Sequence, residues 1–210
     1  MKVKVCGMRD SGNIQELLKL QPDYIGFIFY RESRRFAESL DEATISSIPG
    51  VIKKTGVFVN EELQEIKKQV DKYGLQTIQL HGNESIDFCK SLQQENLEVI
   101  KAFGVDEVFD FSGLAEYEDS VDYFLFDTKT SSYGGSGMAF NLSLLERYSL
   151  SKSYFLSGGL SPENLQSVKK LNDHRLYAVD LNSKFEIEPG LKDIEKLAKA
   201  FDIIRIKSNL

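Results

Sequence analysis

The sequence predicts an α/β fold, a single (β/α)8 barrel of the TIM type with eight parallel strands, spanning residues 1–210 as one domain. Short runs of mainly apolar residues recur eight times. The stretches between them carry helical periodicity, and the length sits at the low end for such a barrel.

Taken in order, the strand candidates are KVKVC (2–6), YIGFIF (24–29), TGVFV (55–59), TIQL (77–80), EVIKAF (98–103), YFLF (123–126), YFLS (154–157) and YAVD (177–180). Most are near-continuous apolar runs, the pattern of parallel strands covered on both faces. Between the third and fourth runs, Leu63, Ile66 and Val70 are spaced three and four apart, and Ile194, Leu197, Phe201 and Ile204 repeat that spacing near the end. These are amphipathic helices. An open doubly wound sheet is the alternative, but its dinucleotide fingerprint is missing, because CGMRDSG after the first run has the wrong spacing for GxGxxG. No tract of Pro, Gly or Ser reads as an interdomain linker.

Thirty-two acidic residues outnumber 26 Lys and Arg, a net charge of −6, and no basic block is present for a phosphate backbone to bind. Nucleic acid is therefore not expected as a partner. Nor is a membrane, because no apolar run is long enough to span one. Met1 leads directly into strand-like residues without a secretory signal, so a cytoplasmic protein is expected, with Cys6 and Cys89 as free thiols. No Cys or His pair has metal-ligand spacing, and no metal site is assigned.

In a barrel of this kind the carboxyl ends of the strands share one face, which carries the chemistry. Cys6, Asn60, His81, Asp127 and Asp180 end or follow strands one, three, four, six and eight. Singly, each has a plain reading, a cysteine as a small core residue or an aspartate as a helix cap. Their convergence on one rim favours a chemical role. Lys101, inside EVIKAF, must find a partner either within the barrel or beneath a helix, and an ion pair is the favoured reading. His174 precedes a strand, faces the opposite end, and is assigned nothing.

After strand seven, FLSGGLSPENL (155–165) sets two glycines before a capped helix start with proline at its first position. Two readings stand: a cradle whose backbone N–H groups and helix terminus hold an anion, or a tight turn into a well-capped helix. TKTSSYGGSG (128–137) reads either as a movable cover or as a solvated excursion. GGSGM (134–138) lacks the lysine of a P-loop.

Together KVCGM, GFIFYRESRRF, GVFVN, IQLHGNES, FLFDTKTSSYGGSG, FLSGGLSPEN and AVDLNSKFE…PGLKD resemble, in order and spacing, the phosphoribosylanthranilate isomerase family of tryptophan biosynthesis, from Met1 to about Asp193. The resemblance implies an Amadori rearrangement of a phosphorylated small molecule, without metal or organic cofactor. It implies Asp127 as general acid, opening the ribose ring, and Cys6 as general base at C2′. A thiol suits that task because its ordinary pKa of about 8.5 is near neutrality, whereas an ordinary aspartate must be shifted upward to hold a proton. Arg35 matches the arginine expected near the anthranilate carboxylate, with Arg34 beside it as the alternative register. His81 and Asp180 fall among the substrate contacts, and Gly158, Gly159, Asn182 and Ser183 would hold the phosphate. The stretch Asn182–Ser183–Lys184–Phe185–Glu186 departs from the usual Ser-Ser-Gly-Val-Glu, and Met138 stands where a polar residue is frequent. A monomer or homodimer is expected. A related isomerase of histidine biosynthesis would use paired aspartates, against which Cys6 argues, and a non-catalytic barrel that binds a phosphorylated metabolite is the remaining alternative.

Overall fold

Parallel pairing runs from each strand to the next and returns from the last to the first, closing an eight-stranded barrel. The computed structural model describes residues 1–38, 40–129 and 139–205. The strands are β1 (Lys2–Cys6), β2 (Tyr24–Ile28), β3 (Lys53–Phe58), β4 (Thr77–Leu80), β5 (Glu98–Val105), β6 (Tyr123–Thr128), β7 (Tyr154–Leu156) and β8 (Leu176–Leu181). Helices α1 (Ser11–Leu18), α2 (Glu42–Ser46), α3 (Leu63–Tyr73), α4 (Ile86–Gln93), α5 (Pro162–Lys169) and α6 (Ile194–Arg205) connect or follow them.

Two connections differ from the expected amphipathic helices: Phe111–Ser120 and Leu142–Arg147 are 3₁₀. In the first, the inward residues Phe111, Leu114 and Ser120 fall at multiples of three. That spacing matches three residues per turn rather than 3.6. A further departure is a two-stranded antiparallel ribbon, β9 (Glu186–Glu188) and β10 (Leu191–Lys192), between β8 and α6.

Alternation along each strand separates two environments. Outward residues such as Val3, Val5, Ile78, Leu80, Phe124 and Phe126 are buried under the helices in the main core. Inward residues divide by height. Tyr24, Ile100, Ala102, Leu125, Phe155 and Ala178 form a separate apolar cluster, while inward positions on β1, β4, β6 and β8 are polar, with Lys4, Cys6, Gln79, Asp127 and Asp180. The barrel is plugged toward its amino end and polar toward its carboxyl end.

Candidate active site

Cys6 lies two residues beyond Lys4 on β1, Asp127 two beyond Leu125 on β6, and Asp180 two beyond Ala178 on β8, so alternation turns all three inward. They meet at one cavity, lined also by His81, Arg35 and Asn182. Six of the nine site residues expected from the sequence thus share its wall. Gly158, Gly159 and Ser183 do not line it; they adjoin the lining residues Ser157 and Asn182 on the rim.

Asp127 accepts a hydrogen bond from the Thr128 N–H at 2.8 Å. Burial, then the nearby charge of Asp180, pushes its carboxyl up from 3.8 to about 6. His81 Nε2 stands 3.8 Å from Asp127 Oδ2. Burial and the positive charges of Lys101 and Lys4 pull the imidazole down to about 4, so near neutrality it is uncharged and can offer only a hydrogen bond. Cys6 is 3% exposed. Its burial pushes the thiol upward, while Lys4 pulls in the opposite direction.

Lys4 is fully buried, with Nζ donating to Asp180 Oδ2 at 2.9 Å. The other carboxylate oxygen, Oδ1, is buried and has no hydrogen-bond partner among the described residues. Arg35 follows β2 in a segment held by the Ile28–Phe36 bridge. Its Nε and Nη2 both donate to the Glu186 carboxylate, at 2.8 and 2.7 Å. Lys192 Nζ donates to that same carboxylate at 2.6 Å and to Asn182 Oδ1 at 2.7 Å. Burial outweighs the attraction of Glu186 and pulls this ammonium down to about 8. The ribbon β9–β10 therefore supplies the anion that fixes Arg35 at the cavity.

Lys4, Glu186 and Lys192, which hold the lining residues Asp180, Arg35 and Asn182, are residues that the sequence reading missed. For Lys4 the signal was available, since it shares the inward face of β1 with Cys6. For Glu186 and Lys192 only the FE…PGLKD block pointed there, and the ribbon that brings them back could not be read from periodicity.

On the rim, Gly158 and Gly159 both have positive φ, +91° and +56°. A Cβ on Gly158 would lie 2.3 Å from Thr128 Oγ1 and 3.1 Å from Asp127 Oδ1, so only glycine lets β7 pass this close to the carboxyl. The Ser161 N–H donates to Asn164 Oδ1, and Asn164 Nδ2 donates to the Gly159 carbonyl, fixing this turn at the start of α5. Ser183 and exposed Lys184 open a 3₁₀ turn after β8. Most of the 128–137 loop, and Met138, lie outside the described residues.

Lys101 points beneath the helical layer, where Nζ lies 3.2 Å from Glu84 Oε2 and donates to the Gly82 carbonyl at 2.8 Å. A groove of about 770 Å³ at the amino end includes His174, but there Arg175 is committed to Asp173 and to the Tyr148 and Leu150 carbonyls. Among the described residues no group of three His, Cys, Asp or Glu side chains is arranged to hold a metal ion. No helix among them is long and apolar enough to cross a membrane.

A closed barrel with an elevated carboxyl, a thiol and a guanidinium around one cavity at its carboxyl end belongs to the class of (β/α)8 enzymes that move protons on small polar substrates. Residues 3–203 match the model of the N-(5′-phosphoribosyl)anthranilate (PRA) isomerase family. The chain is 46% identical over 199 residues to the N-(5′-phosphoribosyl)anthranilate isomerase of Parabacteroides distasonis, covering 94% of this chain and 90% of that protein. Among solved structures, phosphoribosyl anthranilate isomerase from Thermus thermophilus matches with a TM-score of 0.84 and 29% identity, over 97% of this chain and 98% of that one. A phosphoribosyl anthranilate isomerase in complex with reduced 1-(o-carboxyphenylamino)-1-deoxyribulose 5-phosphate matches with a TM-score of 0.80 and 29% identity over the same shares. The chain belongs to the phosphoribosylanthranilate isomerase family.

Proposed function

We propose that this isomerase converts N-(5′-phosphoribosyl)anthranilate to 1-(2-carboxyphenylamino)-1-deoxyribulose 5-phosphate, a step of tryptophan biosynthesis, by proton transfers from Asp127 and to Cys6. The observation that carries the reading is the meeting of these two groups at one cavity, with the carboxyl shifted to about 6 where it can hold a proton close to neutrality.

Asp127 gives its proton to the ribose ring oxygen, the C1′–O bond breaks, and the nitrogen lone pair forms the C1′=N bond of a Schiff base. The Cys6 thiolate then takes the proton from C2′, and the electrons of that C–H bond form C1′=C2′ while the imine π pair returns to nitrogen. The resulting enolamine becomes the ketone when its C2′ hydroxyl loses a proton and C1′ gains one, so the net change is an isomerisation without external oxidant. Arg35 has N–H groups beyond those bound to Glu186 and meets the anthranilate carboxylate. His81 and Asp180 contact the sugar, the latter through its unpartnered Oδ1. Gly158, Gly159, Asn182 and Ser183 take the phosphate.

The relative whose structure is described with a reduced product analogue supports a phosphorylated ligand of this size and shape. A thiol base stays competent where thiols stay reduced, which favours the cytoplasm. The test is loss of substrate fluorescence on incubation with the purified protein without added metal or nucleotide. Turnover is expected, and Cys6→Ala and Asp127→Asn are each expected to lower it by about 10²-fold or more while remaining folded. Near-normal turnover in either folded variant overturns the assignment of that residue.

A further inference from the structure

A thiol that acts as a base near neutrality needs a positive charge close to its sulfur when water is excluded. Burial alone works against Cys6, so the identity of that charge is a question about the rest of the barrel.

The charged and titratable groups facing the sulfur come from several elements. Lys192 reaches from β10, held by Glu186 and Asn182, and also pulls the thiol down, though less than Lys4 does. Arg35 is occupied by Glu186 through two nitrogens. His81 after β4 is neutral, and Asp127 on β6 is acidic. Asp180 on β8 opposes a thiolate, but its Oδ2 is bound to Lys4. Lys4 exerts the largest pull of these cations and stands on the same face of the same strand as Cys6.

Gly26 shows how close the two are. A Cβ there would lie 2.8 Å from Cys6 Sγ and 3.2 Å from Lys4 Nζ, so sulfur and ammonium converge on one stretch of bare β2 backbone. No other side chain is needed to hold Lys4 in place: it is 0% exposed and its Nζ is anchored on Asp180 across the β1–β8 seam.

We propose that Lys4 is a positioning residue for this reaction, its buried ammonium anchored by Asp180 and set against the Cys6 sulfur to supply the positive charge that stabilises the thiolate. The proposal rests on the reading of Cys6 as the base. Burial works to discharge Lys4, but Asp180 and Cys6 together outweigh it and keep the ammonium charged. Asp180 then has two effects of opposite sign on the sulfur, holding the cation in place while adding a negative charge of its own.

The experiment is the pH dependence of iodoacetamide alkylation at Cys6 in the folded enzyme, followed by mass spectrometry, with fully buried Cys89 as internal reference. Lys4→Met is expected to raise the midpoint by about one pH unit or more, a tenfold loss of thiolate at fixed pH. Lys4→Arg, which keeps the charge, is expected to restore most of it. A purely structural role for Lys4 would alter stability without moving the midpoint. A folded Lys4→Met protein with an unshifted midpoint overturns the proposal. If Lys4→Met does not fold, Lys4→Gln decides, and an unshifted midpoint in the folded variant overturns it. Failure of the underlying reading is separate: Cys6→Ala would then keep its turnover whatever the titration shows.

Discussion

In the proposed mechanism Asp127 and Cys6 make opposite demands on one cavity, because the acid must hold a proton and the base must lose one. Burial raises both, which helps the carboxyl and hinders the thiol. With Asp127 at about 6 and Cys6 pushed above its ordinary value, the carboxyl loses its proton first as pH rises, so the proposed active arrangement is the minority tautomer between the two values. Its fraction is constant across that interval and falls below the lower value, where both groups are protonated. The profile of kcat/KM should therefore be flat through neutrality and decline below pH ~6, which steady-state rates from pH 5 to 9 would check. Undiminished activity at pH 5 would show that another group sets the acid limb. His81, at about 4, does not interfere in that range. Cys6 and Asp127 were legible as site residues because each closes an apolar run, whereas the state of each depends on Lys4 and Asp180, whose juxtaposition needs the closure register.

Among the elements, the β9–β10 ribbon has the most direct consequence for binding. It turns the chain back over the β8 end and presents Glu186 to both Arg35 and Lys192, with its carboxyl held below the ordinary range because these cations outweigh the opposing effect of burial. Glu186→Gln leaves buried Lys192 and half-buried Arg35 with a neutral partner. It should raise KM roughly tenfold with a smaller change in kcat, and cost about 3 kcal/mol of stability. Steady-state kinetics and urea unfolding would measure the two effects, and a fall in kcat alone would argue against a role in holding Arg35. The strands themselves were legible to within a few residues because parallel strands buried on two faces give continuous apolar runs. The ribbon was not, since three- and two-residue strands carry no period, and FSGLAEYEDS reads equally well as an α-helix until its three-residue spacing is seen against the core.

For the molecule as a whole, closure is what creates the site. The register across the last seam sets Lys4 opposite Asp180, and the apolar plug below leaves polar inward positions only toward one end. Whether the strands closed into a barrel or opened into a doubly wound sheet was settled in the sequence only by a missing fingerprint and by the count of strands. Such a site carries a stability cost. Because the folded-state value of Asp127 lies above the ordinary 3.8, its ionisation disfavours the folded state as pH rises from about 4 through about 6, and the full effect is present at neutrality. Asp127→Asn removes it, so calorimetry should find that variant more stable by about 1–3 kcal/mol at pH 7, with the difference shrinking toward pH 4. No gain at pH 7 would mean the carboxyl is not disfavoured in the fold. The central claim, that a sulfur from the first strand and a carboxyl from the sixth flank the same sugar, is tested most directly by a crystal structure with reduced 1-(o-carboxyphenylamino)-1-deoxyribulose 5-phosphate. The account predicts the Cys6 sulfur beside C2′, the Asp127 carboxyl on the ribose portion, the aromatic carboxylate on Arg35 and the phosphate between Gly158–Gly159 and Asn182–Ser183. A ligand bound with its sugar carbons away from both Cys6 and Asp127 would contradict it.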